Sequence, residues 1–466
     1  MIYRKGKKRT GIARIAFLLL FPLLLTGCWN NKDLSEINIV AGLGLDRTED
    51  GKVLFTVQVV EPAAIQSTSS GKGKGGGEQP KPVFVASHEG ETVLEAARGM
   101  LSIVDKQLFF STAQVLILGE RLSQDGIEEI LDFFQRDHGI SYLMAILVAK
   151  GVTPREILEM ETDMDSIPAV YINETVKNTV IRGTGKKTLL IDLIKDMGGS
   201  GRQPAIGQIS KAGEKEVRTE GTAVFKEGKL AGWLDPFETR GYLFATDKVK
   251  SAIVSVPADK GKIAMEIIRS KGKVKVAFDN GEPAMLTVEV ETQANVGGYE
   301  GKGRLDSPDN LSVLEKTLGE EIKKEIIMAL EKTQKEYSSD IFGFGAYVSK
   351  YHPQYWKKAE KDWDDIFSRL PADIQVDAKI LRTGIIRSPV KKDNNIMIIV
   401  LAVFAILISY DLQRFIRKKE RARVFAIYAF LMAASLTVGL LLAAGRRPLS
   451  PSQWIEAILR MIGVLK

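Results

Sequence analysis

The chain of 466 residues holds few side chains able to do covalent chemistry: one cysteine, Cys28, and three histidines, His88, His138 and His352. A single thiol permits no intramolecular disulfide and no cysteine-built metal site. The histidines are far apart and lack the short spacings of metal ligands, so each reads as a surface or structural residue. No G-x-S-x-G elbow accompanies any serine. Gly183-Thr184-Gly185-Lys186-Lys187-Thr188 approaches a phosphate-binding loop and misses it. Val180 stands where the first glycine is needed, and Lys187 separates Gly185-Lys186 from the threonine. Asn173-Glu174-Thr175 fits a glycosylation sequon, a motif too short to carry weight. The expectation is a protein that is not an enzyme, with no catalytic residue, no cofactor and no metal.

Cys28 is different because of what precedes it. Arg4, Lys5, Lys7, Lys8, Arg9 and Arg14 form a basic head, and Ile15 to Leu25 is an apolar run too short to span a bilayer. Leu25-Thr26-Gly27-Cys28 then resembles the lipobox of bacterial lipoproteins, in which the thiol receives a diacylglyceryl group and the chain is cut just before it. Residues 1–27 are therefore read as a lipoprotein signal peptide and Cys28 as the lipid attachment site. The plainer alternative keeps Cys28 as a small hydrophobe behind an uncleaved signal anchor.

The net charge of +7 would suit a nucleic-acid partner only if the basic residues were gathered on a folded face. They are not. The head, the segment 411–423 and the tail hold the excess, which leaves a mildly acidic body and argues against nucleic acid. Seventeen uncharged residues run from Asn394 to Tyr410, and twenty-two from Val424 to Gly445. Between them lie Arg414, Arg417, Lys418, Lys419, Arg421 and Arg423. Two apolar runs around a basic loop predict a transmembrane hairpin, 394–410 and 424–445, with a cytoplasmic loop 411–423. The body and tail are then outside, as the lipobox independently requires. In the tail, 449–466, Trp454, Ile455, Ile458, Leu459, Ile462 and Leu465 share one helical face, which either lies in the membrane interface or packs on the ectodomain.

The elements between these anchors divide in two. From Cys28 to about residue 210, strands (37–45, 53–60, 83–86, 114–118, 144–148) alternate with helices (92–101, 127–134, a helix begun at Thr153-Pro154, 185–196). That pattern predicts an α/β domain with partly parallel pairing. Residues 64–82, rich in Ser, Gly, Lys and Pro, are expected to be a flexible loop. From 211 to 388 short strands follow one another, among them 222–225, 230–234, 253–256, 263–268, 273–278 and 285–296. A long helix comes next, with Leu311, Leu314, Leu318, Ile322, Ile326 and Leu330 in one stripe, then a helix near 355–367 and a last strand 374–380. The fold class expected is α+β and multi-domain: an N-terminal α/β domain, a β-rich middle, a C-terminal antiparallel sheet carrying a long packed helix, and a C-terminal transmembrane helical hairpin.

Several stretches resemble the Ger(x)C family, the lipoprotein C subunit of the nutrient germinant receptors of spore-forming bacteria. Gly27-Cys28-Trp29, Asp33-Leu34 and Ile37-Asn38-Ile39-Val40-Ala41-Gly42 are similar to its start. Leu108 to Glu120, Gly126-Ile127 and Arg136-Asp137 are similar to its N-terminal domain, with Thr112 where a histidine is expected. Gly221-Thr222-Ala223-Val224-Phe225-Lys226, Leu230-Ala231-Gly232-Trp233-Leu234, Asp340-Ile341-Phe342-Gly343-Phe344-Gly345, Tyr355-Trp356 and Trp363 are similar to its C-terminal domain. Family members usually end near Ile385, so the hairpin and tail are additions. The resemblance implies a non-enzymatic subunit on the outer face of the spore inner membrane, lipid-anchored at Cys28, beside a permease-like subunit and a larger integral-membrane subunit. The competing expectation is a small-molecule-binding lipoprotein that captures nutrient for a membrane transporter.

Overall fold

The structure, a computed structural model, describes residues 34–69, 81–136, 139–258, 261–300, 308–382, 394–418 and 422–443. Cys28, His138, the signal segment 1–27 and the tail 449–466 lie outside the described residues. The strands are β1 (Ile37–Arg47), β2 (Val53–Val60), β3 (Val83–Gly90), β4 (Gln107–Phe109), β5 (Val115–Leu118), β6 (Ala145–Ala149), β7 (Thr188–Leu189), β8 (Ala205–Lys211), β9 (Val217–Arg218), β10 (Thr222–Lys226), β11 (Lys229–Leu234), β12 (Ala252–Ala258), β13 (Gly261–Asp279), β14 (Glu282–Glu300) and β15 (Ala372–Arg382).

The first sheet runs β11-β10-β8-β6-β5-β1-β2-β3, with β4, β7 and β9 paired at its margins. Its centre, β1, β5, β6 and β8, is parallel and its two flanks are antiparallel. Central strands covered on both faces should read as continuous apolar runs, and they do: Val115-Leu116-Ile117-Leu118 and Ala145 to Ala149 are buried throughout. One face packs Leu43, Leu116, Ile146 and Phe134 together, and the other sets Val115, Ile117 and Leu147 against Ile172 and Val176. Those last two belong to the helix Pro168–Arg182, which the sequence reading leaves unassigned. Pro168 at its first turn and Ala169, Ile172 and Val176 at helical spacing are the signals for it. Residues 64–69, read as part of a flexible loop, lie in a short helix, Pro62–Ser69, and 70–80 are outside the described residues. The helix expected over 185–196 begins at Leu190, because Thr188-Leu189 first pair with β6.

The second sheet, β12-β13-β14-β15, is not wholly antiparallel as expected. β15 lies parallel to β14, since the chain returns across the helix Pro308–Lys335 and three shorter helices before forming it. β13 and β14 are also single strands of 19 residues rather than the shorter pieces read from the sequence. The polar run Arg269-Ser270-Lys271-Gly272 looks like a turn but pairs residue by residue with Gln293, Thr292, Glu291 and Val290. The true turn is Asn280-Gly281, whose φ angles of 49° and 88° suit a tight hairpin. The long helix buries Leu314, Leu318, Ile322, Ile326 and Leu330 against this sheet, as its stripe predicts.

The boundary near 210 is crossed by the first sheet. β10 pairs with β8, and its alternate side chains enter two cores: Ala223 and Phe225 join the N-terminal core, while Val224 joins the C-terminal one. The C-terminal segment is a separate unit. It contains helices Asn394–Lys418 and Ala422–Ala443, where the two apolar runs lie. Tyr428 donates a 2.8 Å hydrogen bond to Asp411, and Phe415 packs on the Tyr428 ring. The transmembrane assignment goes further than these helices do: among the described residues no helix is long and apolar enough to cross a membrane.

Candidate functional site

The densest polar constellation among the described residues surrounds Asp340, which is fully buried where the two sheets' cores meet. Its Oδ1 accepts from the backbone N–H groups of Gly343 (2.8 Å) and Phe344 (3.3 Å). Its Oδ2 accepts from the Gly345 N–H (2.7 Å) and the Trp363 indole N–H (2.9 Å). Burial pushes this carboxyl above the usual carboxylate range, and the four donors oppose that shift. The loop is held from the other side by the segment entering β8. Arg202 donates to the Phe342 carbonyl at 2.9 Å, the Gln203 N–H to the Asp340 carbonyl at 2.9 Å, and the Gln203 amide to Asp364 at 2.9 Å. Burial pushes Asp364 up as well.

Backbones come close here, and that dictates glycine. A Cβ on Gly201, whose φ is 77°, would fall 2.3 Å from the Gly345 carbonyl carbon, and one on Gly343 would fall 2.5 Å from the Arg202 guanidinium. The neighbouring strand is clasped too. Tyr337 Oη donates to the Trp233 carbonyl and accepts from its N–H, and Ser339 donates to the Phe225 carbonyl at 2.6 Å. A cleft of about 340 Å³ opens beside this junction, lined by Arg202, Asp364, Glu227, Glu128, Glu360 and Trp356 among others. The arrangement is built for rigidity. Its central carboxylates, buried Asp340 and half-buried Asp364, are taken up by backbone N–H groups, the Trp363 indole and the Gln203 amide, and no hydroxyl or thiol sits beside a histidine in it.

The residues singled out in the sequence fall as follows. Lys186 of the glycine-containing stretch is buried, donates to the Ala205 carbonyl and lies over the Tyr242 ring; burial pushes its ammonium pKa down. Gly183 ends a helix with φ of 70°, and Gly185 bridges to Gly221, so the stretch crosses between strands. His88 is packed over Gly99, and His352 stacks on Phe278 with centroids 3.8 Å apart. Asn173 of the sequon donates to Gln114 at 2.8 Å. Thr112 donates to the Val40 carbonyl at 2.9 Å. Among the described residues no group of three or more His, Cys, Asp or Glu side chains is placed to hold a metal ion.

The motifs of the C-terminal half thus meet at one junction, and comparison with known proteins places them. Residues 30–211 match the family described as spore germination protein N-terminal domain, and residues 220–384 match spore germination B3/GerAC like, C-terminal. The chain belongs to the Ger(x)C family of spore germination proteins. Among its relatives are spore germination protein KC of Bacillus subtilis (strain 168), 26% identical over 80% of this chain and 96% of the relative, and spore germination protein B3 of the same organism, 27% identical over 80% and 98%. The solved crystal structure of the GerBC protein aligns at 20% identity with a TM-score of 0.47, over 73% of this chain and 97% of that one. The relatives are matched almost whole by four fifths of this chain, and the family match ends at residue 384, ahead of the hairpin.

Within the family frame, Asp340, Gly343, Gly345, Trp356 and Trp363 are motif residues that the structure brings together. Arg202, Gln203 and Asp364, which complete the junction, were not singled out from the sequence. The only hint was Gly199-Ser200-Gly201-Arg202, a glycine-spaced approach to a strand that reads equally well as a plain loop. Lys186, in the stretch that misses the phosphate-loop pattern, has a structural place that local spacing does not show. Its partner Tyr242 is 56 positions away, across the two halves of the chain.

Proposed function

We propose that this chain is a non-enzymatic, membrane-anchored lipoprotein subunit of a spore nutrient germinant receptor, needed for its assembly or signalling. The observation that carries the reading is the pair of family matches, N-terminal then C-terminal, which together take in both cores. Cys28 carries the lipid, the ectodomain stands on the outer face of the spore inner membrane, and the partners are a permease-like and a larger integral-membrane subunit. The junction supports this, because its side chains lock two lobes into one surface suited to docking. The junction cleft is lined mainly by polar and charged residues, unlike the mostly apolar pockets that enclose small ligands, which makes it a poor site for nutrient capture.

The reading of 394–410 and 424–445 as a membrane hairpin rests on the sequence alone, on two apolar runs around a basic loop, since among the described residues no helix is long and apolar enough to cross a membrane. A diacyl anchor already suffices to hold the protein, so the helices are proposed to contact partner helices through the small residues Ala433, Ala434 and Gly439, and through Ala443-Ala444, whose side chains lie outside the described residues. Deleting the gene in its spore former should abolish germination with a particular set of nutrients and leave a trigger that bypasses nutrient receptors unaffected. An unchanged response to every nutrient, in a strain also stripped of paralogues, overturns the assignment. Exchange of both helices for an unrelated hairpin should reduce recovery of the partner subunits with this chain. Equal recovery would remove the proposed helix contacts while leaving the receptor assignment in place.

A further inference from the structure

The parallel strands define two ends of the first sheet, and the two ends differ in chemistry. At the end where β1, β5 and β6 finish, the side chains are charged and paired: Arg47 with Asp125 and Glu129, Arg121 with Glu49, Lys52 with Asp50. At the other end, where β1, β4, β5 and β6 begin, the entering segments carry large apolar side chains in water. Leu101 is 61% exposed, Ile103 46%, Phe109 36%, Tyr142 37% and Leu143 72%. These segments are neighbours. β1 and β4 start side by side, Asn38 donates to Asp105, Ser111 donates to the Gly139 carbonyl, and Ala145 N–H donates to the Gln114 carbonyl. Large apolar side chains are also exposed elsewhere in this lobe, at Phe84, Leu94, Met164 and Ile181, but these five come from segments that lie side by side, and an exposed apolar group of that kind marks a contact surface.

What covers it is indicated by the chain that arrives there. β1 starts at Ile37, nine residues after Cys28, and nine extended residues reach at most about 30 Å. A lipid on Cys28 therefore holds the start of β1 within about 30 Å of the bilayer, which favours this end over the charged one at the far side of the eleven-residue β1. We propose that the strand-start end of the first sheet, through Leu101, Ile103, Phe109, Tyr142 and Leu143, rests in the membrane interface and sets the orientation of the whole ectodomain. This rests on the anchoring at Cys28 proposed above. Tyr142 has the amphipathic ring that suits headgroup depth, and the leucines and isoleucine supply shallow apolar insertion.

The test uses the full chain, made in a lipidating bacterium and reconstituted into phosphatidylcholine–phosphatidylglycerol vesicles. Acylation leaves Cys28 without a free thiol, so a single new cysteine takes an environment-sensitive fluorophore. Leu101→Cys and Leu143→Cys test the apolar end, and Asp50→Cys reports the charged end. The labels at 101 and 143 should emit to the blue and be quenched by a lipid carrying a spin label near its headgroup, while the label at 50 should do neither. Equal quenching at 50, 101 and 143 in protein whose mass shows the diacylglyceryl group on Cys28 overturns the proposal and leaves the anchor intact. Blue emission at 101 and 143 without quenching by the lipid label means that a protein covers this face, which also overturns it. A mass showing Cys28 unmodified removes the anchoring and this orientation with it.

Discussion

Asp340 shows how a single side chain can organise a junction without doing chemistry. Four N–H groups point at its two oxygens, three from the loop Gly343-Phe344-Gly345 and one from Trp363. Asparagine in its place would offer one oxygen and turn an N–H₂ group toward two of those donors. Hydrogen bonds to a charged acceptor contribute about 1.5–3 kcal/mol, and orphaned buried donors cost about 1–3 kcal/mol each. Asp340→Asn should therefore destabilise the ectodomain by roughly 3–5 kcal/mol. Urea unfolding of the solubilised protein, followed through tryptophan emission, measures this; a change within experimental scatter would mean that the loop is held by its packing alone. The aspartate and its glycines were legible as a motif. That they meet Arg202 and Gln203 was not, because the pairing spans nearly 140 positions and local pattern carries no information at that range.

At the scale of elements, the helices Pro236–Ala245 and Pro308–Lys335 cross with their backbones in contact. A Cβ on Gly241 would lie 2.1 Å from the Glu325 carbonyl oxygen. Such close packing leaves water little access to Arg240 and Glu325, which form a buried pair, with Arg240 also donating to the Ile253 carbonyl. Burial pushes Glu325 up even with the guanidinium beside it. Removing one partner strands a charge. Arg240→Met should cost about 3–5 kcal/mol, whereas Arg240→Leu combined with Glu325→Leu should recover most of the loss, since apolar replacements of a buried pair are often neutral. Thermal unfolding of the three proteins decides, and equal losses in the single and double variants would place the contribution in packing. The first helix had a sequence signal, Asp235-Pro236 followed by Glu238, and the structure completes it as a capping box. Its apolar and polar residues are buried almost all round, so no amphipathic stripe announced it.

For the whole molecule, β10 decides how many folding units the ectodomain has. Ala223 and Phe225 belong to one core and Val224 to the other, so neither lobe is complete without this strand. The ectodomain should unfold in calorimetry as a single transition, and a chain stopped at Lys211 should fail to fold, because β8 would lose β10 and leave Ile206 without Ala223. Two resolved transitions, or a soluble, folded fragment ending at 211, would show that the lobes are independent. Sequence reading put the division near 210 because the composition changes there. The hydrogen bonding continues past it, since a strand pairs with whichever edge is free and not with its neighbours in composition.

The sequence by itself determined the signals that act locally: the apolar run and small residues ahead of Cys28, the basic stretch between two apolar runs, the buried central strands and the stripe of the long helix. Each depends on spacing within a few residues, where helix and strand periodicity or a leader's composition is enough. Tertiary structure alone decided the rest. It turned β15 parallel, joined the polar middle of β13 into one strand, ran the first sheet through the domain boundary, and gathered Arg202, Gln203, Asp340, Trp363 and Asp364 at one junction. Those outcomes depend on which edges and faces remain unsatisfied once all elements have formed, a property of the assembled chain that no short stretch of it contains.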